Sequence, residues 1–271
     1  MVRRSIFILF IFVLNFVQQS FGQIFRKPSF TGMYIQWGYS RDWYSKSNIH
    51  FRHGSVYDFT LHNALASDQP DYQGFWKTPM DITIPQNNFR LGLYLNENRT
   101  SAIEFNFDHA KYVLQSGQNL KVTGQIFGRD INKDTIVDPN FIQFEHTDGA
   151  NFCHINYVRI HPLFYRNQKL KASHILKAGA GVVIPRSQVT IFGKELNNRY
   201  HISGYVMSLE TGFRYYPTRK FFLEAAVKSG FANFLNSLTV EGGSAKHHFW
   251  YFEAIGLLGY EFDFSKKKKA Q

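Results

Sequence analysis

Cysteine is almost absent from this chain. The one cysteine, Cys153, has no partner, so an internal disulfide framework is excluded. It also lies far from the N-terminal apolar run, where a lipid-modified cysteine would have to stand. Long hydrophobic runs are equally scarce. After Ser5–Val17 no stretch approaches the roughly 18 apolar residues of a membrane helix, so no helical span is expected. Acidic residues are outnumbered, 20 against 31 Lys and Arg, for a net charge of +11. Eleven histidines are present, among them His154, His161, His174 and His248, yet none stands in an HxxxH or HExxH spacing or beside a second cysteine.

What is present begins with Arg3 and Arg4, an apolar segment, and small residues three apart at Ser20 and Gly22. That pattern is a secretory signal peptide over residues 1–22, cut near Gly22. An exported chain does not meet nucleic acid, so that partner is excluded. Aromatic residues make up 17% of the sequence, with 28 Phe and 15 Tyr. Much of the chain also alternates. Trp250, Phe252, Leu258, Tyr260, Phe262 and Phe264 share one face of a strand, and Glu253, Glu261 and Asp263 the other. Tyr205–Tyr216, Phe221–Phe231 and Phe89–Leu95 alternate in the same way. Period two over ten or more residues signals strands. Soluble strands average about 5–6 residues, whereas a tilted membrane-crossing strand needs about 9–11.

The expected fold is therefore all-β: a single antiparallel transmembrane β-barrel over 23–264, in the outer membrane of a Gram-negative envelope, with a basic tail over 265–271. Ten strands satisfy the parity of short inner turns and long outer loops: 33–45, 50–62, 88–97, 101–114, 118–127, 151–164, 170–186, 202–217, 219–232 and 247–264. Eight or twelve are also compatible. The ten-strand count leaves 63–87 as an oddly long inner connection and 98–100 as an oddly short outer loop. A secreted β-sandwich or lipocalin-like barrel is the competing architecture, because period two does not say which face is inside.

Two segments carry a resemblance. GYEFDF (Gly259–Phe264) resembles the terminal strand by which outer-membrane barrels are recognised by insertion machinery, although SKKKKAQ follows it here. EHTDGAN (Glu145–Asn151) is faintly similar to the histidine-serine segment of lipid A deacylase barrels, with Asp148 where that family has its serine. The first likeness implies the small outer-membrane barrel class. The second implies lipid-ester hydrolysis, with His146, Glu145 and His109 as catalytic candidates. Thr147, next to His146, would point to the opposite strand face.

In a narrow barrel the polar strand faces fill the lumen. Arg90, Glu104, Asp108, Lys177, Glu210, Arg214, Glu224, Lys228, Glu253 and Glu261 would then form an ion-pair network rather than line a pore. Asp130, Asn132, Asp134 and Asp138 have the spacing of oxygen ligands in a calcium loop, without its glycine and final glutamate. No other cofactor is expected. The glycines of GAGVVIPRS (Gly179–Ser187) alternate along a strand and lack the GK[ST] of a phosphate loop. The function that follows is a structural or loop-mediated binding barrel without a legible catalytic site. A lipid A or lipopolysaccharide-modifying hydrolase and a narrow ion or solute channel are the alternatives. Outer-membrane lipid, lipopolysaccharide and an envelope protein complex are the expected partners. Six positive charges sit at Arg3, Arg4 and Lys266–Lys269; the last four are expected to form a solvated tail, with contact to anionic headgroups as the alternative.

Overall fold

Alternating sequence becomes strand almost everywhere. The computed structural model describes residues 28–70, 86–146 and 148–264, and in them all regular structure is β. The proposed signal peptide, the basic tail and Thr147 lie outside the described residues. The strands are β1 (Gly32–Tyr44), β2 (Ser47–His53), β3 (Tyr57–Ala64), β4 (Ala66–Ser67), β5 (Asn87–Tyr94), β6 (Ser101–Asp108), β7 (Tyr112–Leu114), β8 (Asn119–Ile126), β9 (Arg129–Ile136), β10 (Ile142–His146), β11 (Phe152–Arg166), β12 (Lys169–Val183), β13 (Gln188–Ile191), β14 (Lys194–Asn197), β15 (Gly204–Tyr215), β16 (Phe221–Leu238) and β17 (Ser244–Asp263).

Eight strands close on themselves. They run in the order β1-β5-β6-β11-β12-β15-β16-β17, and β17 returns to pair with β1 from Gly32↔Asp263 to Tyr44↔Tyr251. Every pairing in the circuit is antiparallel. The first residues of β17 continue past this circuit and pair with β2, from which β3, β8 and β9 extend the wall. A second sheet, β14-β13-β10-β7-β4, packs against that extension. Their shared core contains Phe51, Phe59, Phe144, Val189, Phe234 and Phe249. The result is a barrel carrying a two-sheet cap.

The two parts are built from the same periodicity turned opposite ways. On the barrel strands the apolar face looks out: Leu209 is 64% exposed, Phe213 64%, Trp250 63% and Leu258 51%. The polar face looks in, with Arg90, Glu104 and Glu253 fully buried. On β2, β3 and β8 the apolar face is buried (Phe51, Phe59, Val122), while Arg52, Asp58 and Lys121 face water. A continuous exposed apolar belt around a polar, filled interior is what lipid solvation requires, since a soluble monomer rarely exposes patches beyond a few hundred Å². This orientation decides for the expected transmembrane barrel over the competing soluble sandwich.

The strand count is corrected. Segments 50–62 and 118–127 do not cross the membrane. The first contains a hairpin turn at Gly54, in a left-handed conformation (φ 47°), and the second is one arm of the β8–β9 hairpin. Removing both leaves an even number of crossing strands and moves the long connection to the outer end and the short one to the inner end. The connections 95–100, 167–168 and 216–220 lie at the end that holds Gly32 and Asp263, and the strand ends Tyr44, Asp108, Val183 and Leu238 lie at the other. Short turns mark the periplasmic end and long excursions the exterior. Ile142–His146, which falls in none of the ten expected strands, forms the cap strand β10.

Several lumen glycines have one steric reason. Gly92 pairs with Tyr34, Gly259 with Phe222 and Gly230 with Tyr251, and in each case a Cβ on the glycine would run into the partner's ring. The ring lies across the strand it faces, which fills a narrow lumen without a void. Gly92→Val should therefore push Tyr34 off its 2.7 Å hydrogen bond to Glu104 and cost about 1–3 kcal/mol in chemical unfolding. Gly256→Ala, which points into open space on the outer face, should be neutral. Equal effects from the two would refute this packing account.

Candidate functional site

The lumen is filled by charge. Arg90, on β5, donates through one terminal nitrogen to both oxygens of Glu210 (2.7 and 2.8 Å) and lies 3.6 Å from Glu104 and 4.0 Å from Asp108. Lys177 reaches Glu104, Glu210 and Glu224 at 3.1, 3.2 and 3.0 Å. Arg214 binds Glu224 through two nitrogens (2.9 and 2.8 Å) and lies over the rings of Phe222 and Tyr34. Lys228 bridges Asp108 and Glu253, the latter at 3.0 Å. Glu261 accepts from Tyr94 (2.6 Å) and from Arg99 (3.2 Å) near the periplasmic mouth. Neutral groups complete the network: Gln36 donates to Glu224, Asn88 and Asn106 to Asp108, and Asn156 to Glu104. Geometry thus brings all ten lumen candidates inward, in two groups centred on Arg214 and Arg90.

The candidate catalytic residues sit elsewhere, at the cap. His146 ends β10 and is fully buried. Its Nδ1 lies 2.8 Å from Ser187 Oγ and its Nε2 3.3 Å from His247 Nε2. The ring stacks on Phe234 and is edged by Phe144. Burial, with His201 nearby, pulls its pKa down to about 3, so it is a neutral imidazole at neutral pH. Glu145 points away from His146, toward Gln143, and partial burial raises its carboxyl above the usual range. His109 pairs with Asn151 Oδ1 at 2.9 Å, and burial lowers its pKa. His109 and His146 therefore find different partners, and neither gains an orienting carboxylate.

Ser187 is the residue that sequence reasoning missed. A serine hydroxyl on an imidazole nitrogen is the first contact of a nucleophile-base pair. Here it is walled in: Ser187 is 1% exposed, and the second imidazole nitrogen faces another histidine instead of an acid. The contact spans 41 residues and the two long barrel strands β11 and β12, so no local spacing could have announced it.

The calcium candidates are not arranged as a loop. Asp130, Asn132 and Asp134 lie on β9, where alternate side chains stand about 6.5–7 Å apart along an extended strand, too far to converge on one ion. They face Gln125, Thr123 and Lys121 of β8. Asp138 instead accepts the backbone N–H of Phe141 in the following turn. Among the described residues, no group of three or more His, Cys, Asp or Glu side chains is placed to hold a metal.

A closed antiparallel circuit, an apolar outer belt and a polar filled lumen define a transmembrane β-barrel of the bacterial outer-membrane type. Among solved structures the chain is similar to the outer membrane protein OprG of Pseudomonas aeruginosa, with 10% identity, 88% of this chain and 99% of that chain covered, and a TM-score of 0.42. It is also similar to Neisserial surface protein A (9% identity, 85% and 97% covered, TM-score 0.37) and to Ail, the attachment invasion locus protein of Yersinia pestis (13%, 86% and 100%, TM-score 0.33). No family model and no curated protein matches the chain. Likeness of this degree concerns the fold alone, and the barrel is defined by its own strand circuit.

Proposed function

We propose that this protein is a closed outer-membrane anchor that presents its folded cap as a binding surface. One observation carries the reading: the lumen is occupied across its height by buried, paired charges, and the outer mouth is continuous with a packed two-sheet core. Eight-stranded barrels leave an interior just wide enough for side chains. A vestibule of about 570 Å³ opens at the periplasmic end, lined by Arg99, Lys169, Lys171, Arg219 and the inner group around Glu261. Ordered hydrogen bonds in the cap support a fixed surface instead of mobile loops.

The membrane-facing rim supports lipopolysaccharide as a contact. Lys246 and His50 are cross-strand partners, next to the Ser244–Arg52 pair, and all lie beyond Trp250 along β17 and β2. The Lys246 and Arg52 charges stand above the apolar belt, at the level of anionic headgroups. Arg52 is shared with Asp58 at 3.7 Å, and Lys246 brings the less committed charge.

The test is functional reconstitution. In planar bilayers the purified protein should give no stepwise conductance, and overproduction should leave the lipid A mass spectrum unchanged. Discrete channel openings would restore the narrow-channel reading. Loss of an acyl chain that depends on Ser187 or His146 would restore the hydrolase.

A further inference from the structure

A run of directly paired lumen residues crosses five neighbouring strands. Asp42 on β1 faces Glu253 on β17, Glu253 faces Lys228, Lys228 faces Glu210, and Glu210 faces Lys177. The signs alternate at every step but the first, where two carboxyl groups meet. Like charges directly opposite on a sheet are destabilising, and more so when buried. Asp42 is 2% exposed and Glu253 fully buried.

The charge of the lumen points to the same place. Its buried acids are Asp42, Glu104, Asp108, Glu210, Glu224 and Glu253; its buried cations are Arg90, Lys177, Arg214 and Lys228. Two acids are left over. Glu261 does not enter this balance, because Arg99 offsets it. His154, 3.8 Å from Asp108, adds charge only when protonated. Lys228 is already divided between Asp108, Glu253 and, at 3.8 Å, Glu210.

An independent observation is neutral. Gln86, 1% exposed, places its amide at the pair by donating from Nε2 to Asp42 Oδ2 at 2.6 Å. Its Oε1 is buried with no hydrogen-bond partner, as are Asp42 Oδ1 and Glu253 Oε1. Three acceptor oxygens with no donor, from two carboxylates and an amide, form an oxygen-only donor set lacking two positive charges. We infer that the Asp42–Glu253 step, with Gln86, binds a divalent cation of calcium type at the outer end of the lumen. A hard cation accepts such oxygens, and calcium takes an irregular all-protein shell more readily than magnesium, which demands octahedral geometry and keeps its waters. The site would lock β1 to β17, the seam that closes the barrel.

The test uses the full-length protein folded in detergent, with calcium chloride against chelator, read as the temperature at which the folded gel band is lost. Calcium should raise that midpoint for the wild type and for Asp130→Ala, whose carboxylate lies on the distant β9. Glu253→Gln should abolish the rise and, in chelator, melt above the wild type, because the like-charge pair is gone. Should Glu253→Gln fail to fold, Asp42→Asn serves the same comparison, and Gln86→Leu should weaken calcium binding about tenfold without changing charge. No calcium shift in the wild type, or an equal shift in Glu253→Gln, overturns the site. So does an infrared band of a protonated carboxyl in calcium-treated protein that disappears in Glu253→Gln, since protons would then be the missing charges.

Discussion

Replacing Arg90 with methionine is expected to destabilise the barrel by about 3–5 kcal/mol. The side chain is 0% exposed and is the hub of the outer half of the lumen, holding Glu210 through both oxygens and lying near Glu104 and Asp108. Removing it leaves carboxylates buried without their counter-charge. That is far costlier than losing a surface ion pair, for which about 0–1 kcal/mol is the norm. Arg90→Lys should recover only part of the loss, because one ammonium point charge does not reproduce the planar guanidinium that serves three carboxylates. The double variant Arg90→Met with Glu210→Gln should be more stable than Arg90→Met alone. Urea unfolding in detergent, followed by loss of the folded gel band, measures all three. If Arg90→Met loses less than about 1 kcal/mol, the network does not hold the barrel together.

Much of this interior was legible because a strand has only two faces. Once Arg90, Glu104 and Glu253 share a face opposite Leu91, Phe105 and Phe252, their burial depends only on which face meets lipid. What the alternation does not encode is whether that apolar face meets lipid or a protein core. Phe51, Phe59 and Leu61 on β2 and β3 repeat at the same period as Leu209 and Phe213 on β15, yet the former are buried at 0% and the latter 64% exposed. Two cap segments therefore read as membrane strands. The signal against them was local: Gly54 interrupts 50–62, and Phe127-Gly128 (φ 51° and 73°) form a two-residue hairpin turn that begins on the last residue of 118–127. The oddly long inner connection and oddly short outer loop they produced were the second warning.

The sites divide along the same line. Lumen partners lie on adjacent strands, so their residue types and faces can be read before the register is known. The cap contacts cannot. His146 and Ser187 come from two separate excursions of the chain and His247 from the outer end of β17, and only the folded cap puts them together. Asp108-His109 and Glu145-His146 each set an acid beside a histidine in sequence, but neighbours on a strand face opposite ways. Asp108 turns into the lumen to meet Lys228, whereas Glu145 is in the cap and turns toward Gln143.

Acidification is expected to loosen the cap before the barrel. His146 is neutral and buried among Tyr112, Phe144 and Phe234, with a second imidazole, not a carboxylate, against its Nε2. Its pKa falls from 6.5 to about 3 on folding, so the unfolded cap binds the proton that the folded cap refuses. Stability from this group is complete above about pH 6.5 and is lost as pH falls from there toward its folded value. At about 1.4 kcal/mol for each pH unit below 6.5, the loss reaches about 3 kcal/mol near pH 4. His109, also lowered by burial, acts in the same direction. Limited proteolysis of the cap at falling pH, with the folded gel band as a monitor of the barrel, separates the two events. His146→Phe, which suits the surrounding aromatic rings, should shift the onset of cap cleavage to lower pH. A cap whose protection is unchanged between about pH 7 and 4 would mean that the proton finds His146 without opening it, and the stacked His146–Phe234 packing would then have to tolerate a buried charge.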